Sequence, residues 1–177
     1  MTRDTGTDWA VRILRGALML FLLLIGFGVV AMALITVAAG VDPGLFAEIA
    51  GQPRDISPTN AYLLFLAAMA GGIVLLLLAV DFVRKLLAVL NSVRAGDPFV
   101  PANAVRLHAM ARLMLVIVVG GFVLELYAHW IDKRHAVSIG IDSGNPASGL
   151  LLVLVLFVLA RVFAQGTAMR DDLEGTV

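Results

Sequence analysis

Long apolar blocks alternate with short polar connections along this chain. Residues 16–39 carry no charge. A helix over them is about 36 Å long, enough to cross a hydrocarbon core of about 30 Å. A second charge-free block runs from Ala61 to Val80, behind Ser57-Pro58-Thr59-Asn60, which supplies turn and N-cap chemistry. A third is centred on Leu113 to Ala128 and carries one acid, Glu125. A fourth begins near Ser148 and must pass through Arg161 to about Thr167 to reach spanning length. Inside lipid the backbone has no water to bond, so each block is expected to be helical. The pattern predicts an all-α, polytopic membrane protein. It forms one domain over residues 1–177, with four transmembrane helices over about 13–39, 61–82, 104–130 and 148–167. Val37-Ala38-Ala39 has the form of a signal-peptidase site, but the block before it is far longer than the apolar core of a signal peptide. It is therefore read as a retained span.

The connections set the orientation. Ten Lys and Arg residues fall at the N-terminal end, the middle connection and the C-terminal end, against Arg54, Lys133 and Arg134 on the other side. The positive-inside rule then places both termini and the middle connection in the cytoplasm. Trp9 and Trp130 fall near opposite interfaces, where tryptophan is favoured.

The middle connection continues the helical pattern. Phe82, Val83, Leu86, Leu87, Val89, Leu90 and Val93 form a stripe, with Arg84, Lys85, Asn91, Ser92 and Arg94 on the other face. Asp81 precedes Lys85 by four residues, the favourable order for a helical ion pair. The second helix is therefore expected to extend to about residue 94 and end at Gly96, with Asp97-Pro98 forcing a turn. Pro101 and Asn103 reopen a helix, so helices two and three form a cytoplasmic hairpin. Its apolar stripes can pack on each other, rest on the bilayer or dock a partner protein. Of the two outer connections, residues 40–60 are mildly acidic. In the other, Val137-Ser138-Ile139-Gly140-Ile141 alternates as a strand or hairpin would, before a turn at Asp142-Ser143-Gly144-Asn145-Pro146.

Composition narrows the chemistry. The chain is 60% hydrophobic and 15% charged, against about 25% charged in ordinary soluble domains. Its formal net charge is zero, so no global basic field recruits nucleic acid directly. It has no cysteine, which excludes disulfides, thiol catalysis and cysteine-ligated metal. Eleven arginines against two lysines, with abundant alanine, fit a GC-rich bacterial genome and hence a bacterial cytoplasmic (inner) membrane.

The intramembrane ionisable residues Glu125 and Arg161 are the first functional suspects. Both lie near enough to an interface to snorkel or pair. Glu125 and His129 share a helix face, with Asp132 and His135 following, but no His-Glu-x-x-His pattern is completed. His108 is a lone histidine of the hairpin. Ala67/Gly71 and Ala68/Gly72 are small-x-x-x-small pairs suited to packing within the bundle or between two copies of the chain. Neither a nucleophile elbow nor a phosphate-binding loop is present. No enzymatic activity, metal or cofactor is expected.

Two segments carry a family likeness. One is Leu90-Asn91-Ser92-Val93-Arg94-Ala95-Gly96-Asp97-Pro98-Phe99, followed by Asn103 and Arg106-Leu107. The other runs from Val162-Phe163-Ala164-Gln165-Gly166 to Leu173-Glu174-Gly175-Thr176-Val177. With these the chain resembles the bacterial membrane proteins grouped as domain of unknown function 2975. Glu-Gly stands before the closing Thr-Val, where an acid and a leucine are more usual in the family. The resemblance implies the four-helix layout and marks Gly96, Asp97, Pro98, Phe99, Asn103, Arg106, Phe163, Gly166 and Glu174 as motif residues. It supplies no catalytic residue. Genes of this family often lie beside small helix-turn-helix regulators, so the resemblance also implies a cytoplasmic regulatory partner. The reading is a non-enzymatic regulator or anchor in the lipid bilayer, using the hairpin and the acidic tail Asp171-Asp172-Leu173-Glu174. A small transporter or channel subunit, built by homo-oligomerisation, is the alternative.

Overall fold

The structure, a computed structural model, describes residues 5–174, with side chains given for Trp9 and for residues 11–170. Among the described residues are five helices: α1 (Thr5–Val41), α2 (Pro43–Ala50), α3 (Pro58–Arg94), α4 (Pro101–His135) and α5 (Pro146–Glu174). All but α2 are long and apolar enough to cross a membrane. Many of their large apolar side chains are exposed. Leu23, Phe27 and Leu34 of α1 are exposed, as are Leu151, Leu154 and Val158 of α5. Soluble monomers rarely show contiguous apolar patches of more than a few hundred Å². Surfaces of this kind suit lipid, and the chain has the constitution of a multi-pass membrane protein.

Two features differ from the sequence reading. Residues 43–50, within the connection read only as mildly acidic, form α2. Asp42 caps it by accepting a bond from Gly44 N at 2.8 Å, and Pro43 fills the first position, where its missing N–H costs nothing. Residues 137–141 form no strand. The alternation is real in burial, with Val137 and Ile139 buried and Ser138 and Gly140 exposed. The backbone bonds go elsewhere, however: Ser138 N donates to Ala50 O at 2.8 Å, and Arg54 N to His135 O at 2.8 Å. An extended segment stitched to a helix end has no neighbouring strand with which to form a ladder.

The chain sorts into two compact units. The first comprises the chain as far as Leu24, Ala79–Leu115 and the chain from Ala147 onward; the second comprises Ile25–Leu78 and Val116–Pro146. The core of the first joins Leu107, Met110 and Ala111 of α4 to Leu156 and Ala160 of α5, with Phe82 and Leu86 of α3 and Phe163 packed against them. The apolar stripes of the predicted hairpin are thus largely spent on each other and on α5.

The core of the second unit gathers Phe46 and Ala50 of α2, Phe65 and Ala68 of α3, Ile131 of α4, and Val137 and Ile139. Phe46 meets Tyr62 and Phe65 edge-on at 6.0 and 5.7 Å. Small residues let the helices approach here. A Cβ on Gly72 would stand 2.6 Å from Met32 Cε, and one on Gly71 3.0 Å from Leu124 Cδ1. The glycines of both small-residue pairs therefore serve packing inside this unit.

Candidate functional site

The α3–α4 turn belongs to the first unit. The helix α3 ends at Arg94, and Gly96 takes a φ of +85°, a left-handed conformation that glycine adopts without Cβ strain. Asn103, in the first turn of α4, is fully buried and reaches back into this turn. Its Nδ2 donates to Ser92 Oγ at 2.5 Å and to Pro98 O at 2.9 Å. Its Oδ1 accepts from Arg106 Nη1 at 2.8 Å. Ser92 Oγ in turn donates to Val89 O at 2.7 Å. One buried amide thus closes the end of α3, the turn and the start of α4. Burying such a group is stabilising only when its donors and acceptor are satisfied, as here.

The second family-like segment docks on the same turn. Phe163 of α5 lies 5.4 Å from Phe99, ring centre to ring centre. A Cβ on Gly166 would come within 2.8 Å of the Phe99 ring, so the ring lies directly on the helix backbone there. Thr167 Oγ1 contacts Phe99 O at 3.2 Å and Phe163 O at 2.8 Å. Arg170 Nη1 bonds Asp97 Oδ1 at 2.5 Å. Gly96, Asp97, Pro98, Phe99, Asn103, Arg106, Phe163 and Gly166 are therefore brought into one cluster. The side chain of Glu174 and residues 175–177 lie outside the described residues, as do the acidic side chains of residues 171–172. Three members of the cluster were not among the motif residues marked from sequence: Ser92, Thr167 and Arg170. Their signal was a hydroxyl or guanidinium one turn from a motif residue, which spacing alone does not distinguish from a surface position.

The cluster does not seal its whole surface. Phe99 is 41% exposed, and around the hairpin Val93 and Val105 are exposed at 43% and 66%. Asp97 and Arg170 are partly solvated. The cluster leaves these apolar side chains exposed around a hydrogen-bonded polar frame.

Glu125 and Arg161 fall in different units. Arg161 is exposed on α5. Glu125 is half-buried and accepts a hydrogen bond from Ser143 Oγ. It borders an open cleft of about 560 Å³, shared with His129, Asp132, Ser138 and Asp142. Ser138 Oγ donates to Asp132 Oδ1 at 2.7 Å. His135 lies edge-on to Trp130 at 5.9 Å, and its Nδ1 is enclosed without a hydrogen-bond partner. Among the described residues no three His, Asp or Glu side chains are grouped as a metal site. His108 meets the edge of Phe157 at 6.1 Å.

A family model described as protein of unknown function (DUF2975) matches residues 48–177. No curated protein and no solved structure matches the chain.

Proposed function

The chain belongs to the family of proteins of unknown function DUF2975, and from that premise we propose that it is a non-enzymatic regulator or anchor of the bacterial inner membrane. Both termini and the α3–α4 turn face the cytoplasm, and the ends of α3 and α4 project from the bilayer as a hairpin. There the chain holds a soluble regulatory protein, of which a small helix-turn-helix regulator is the leading example. The observation that carries this reading is the convergence of the two family-like segments on one turn. Residues far apart in sequence lock it from three helices, while Val93, Phe99 and Val105 stay exposed around it. The bias of Lys and Arg supports the orientation.

Cross-linking in native membranes followed by affinity capture tests the proposal. Val105→Glu changes an exposed position outside the cluster and is expected to leave protein level and thermal stability unchanged. A soluble regulator retained by the wild type should be lost from this variant. Identical partners for both proteins would overturn the reading.

The second reading, a subunit of a small transporter or channel, draws its support from the polar cleft beside Glu125.

A further inference from the structure

The connection between α4 and α5 folds back beside α4. Ala136 takes a φ of +53° and reverses the chain as α4 ends. This left-handed conformation strains a residue with a Cβ. The segment then returns beside α4. Ser138 bonds Asp132, in the last turn of the helix, and Ser143 bonds Glu125. A Cβ on Gly121 would stand 3.4 Å from Ser143 Cβ. Gly121 lies about four turns before His135, or roughly 21 Å back along the helix. It also sits at the middle of the apolar block that makes α4 a membrane span. Ser143 therefore lies beside the centre of that block.

Residues 142–145 are non-helical, polar and exposed. At membrane depth such backbone is tolerated only where protein buries it or water reaches it, because lipid offers its N–H and C=O groups no partner. This chain does not bury it. The open cleft of about 560 Å³ lies between the returning segment and α4, with Glu125, Asp132 and Asp142 among its walls and no Lys or Arg. We propose that this cleft is an aqueous vestibule that brings water and small hydrated cations into the membrane as far as Glu125. Its helical wall supplies Glu125, His129 and Asp132, and its loop wall supplies Ser138 and Asp142. This inference stands apart from the reading of the α3–α4 turn and holds for either orientation of the chain.

The natural absence of cysteine makes the test direct. Single cysteines at Ser143, at Gly140 and at Val123 are introduced into the protein in lipid nanodiscs, whose two faces are both open to reagent. Gly140 has open space where a Cβ would stand, and Val123 is exposed on α4 close to the depth of Ser143. Cationic and anionic methanethiosulfonates of similar size, neither lipid-permeant, are applied to each. Ser143→Cys and Gly140→Cys are expected to react at least about tenfold faster than Val123→Cys, and faster with the cationic reagent. If Ser143→Cys and Gly140→Cys both react as slowly as Val123→Cys, the vestibule is overturned. Equal rates for the two reagents would overturn its preference for cations.

Discussion

The connection from α3 to α4 and the connection from α4 to α5 solve the same problem in opposite ways. Each reverses the chain between long apolar helices. In the first, a buried amide satisfies the turn from within, and Phe99 packs it against α5. In the second, Val137 and Ile139 anchor the segment by burial, while Ser138 and Ser143 bond carboxylates at exposed positions. The difference teaches which connection is fixed and which is open. A turn closed by a buried, fully bonded amide holds its central polar groups away from solvent. A segment held by two apolar pegs leaves its polar side in contact with whatever fills the cleft.

Substitutions can break or sharpen that contrast. The largest effect is expected from Asn103→Ala. It removes three hydrogen bonds, leaving Pro98 O without this donor and Ser92 Oγ with its bond to Val89 O alone, at about 2–4 kcal/mol. Thermal unfolding in detergent reads the loss, and a change below about 1 kcal/mol would mean that the amide is not what closes the turn. Val137→Ala should follow, at about 1–2 kcal/mol, since it empties a fully buried position under α2. Ser143→Ala should cost least, roughly 0.6 kcal/mol or below, as is usual for a side-chain hydrogen bond in a membrane protein. If Ser143→Ala destabilised as much as Asn103→Ala, the second connection would be as rigid as the first and the comparison would fail.

Much of the architecture is legible in the residues. Four long helices follow from four apolar blocks, because lipid leaves helix as the one way for an isolated segment to satisfy its backbone. The stripe from Phe82 to Val93 marks the continuation of α3 to Arg94, and Gly96 and Pro98 mark its end. The helix α2 escapes because only Phe46 and Ala50 among its residues become fully buried, too few for a clear period. The returning segment escapes for a different reason. Alternation in Val137-Ser138-Ile139 reports which side chains are buried, but not whether a second strand, or a helix end such as Ala50, receives the backbone bonds. In the α3–α4 cluster the motif residues are visible as a pattern. Their convergence is not, because Asp97 and Arg170, or Phe99 and Gly166, meet only once α5 has folded back.

The short helix α2 also bears on the order in which the protein is made. Its packing partners Ala39, Tyr62, Phe65 and Ala68 are close to it in sequence. Most of that core can form while the ribosome is still adding α4, since local contacts carry a small loop-closure cost. The Phe99–Phe163 and Asp97–Arg170 contacts have to wait until α5 has been synthesised. A chain truncated before Phe163 would therefore keep most of the core around α2 and lose the contacts that Phe163 and Arg170 make with the α3–α4 turn.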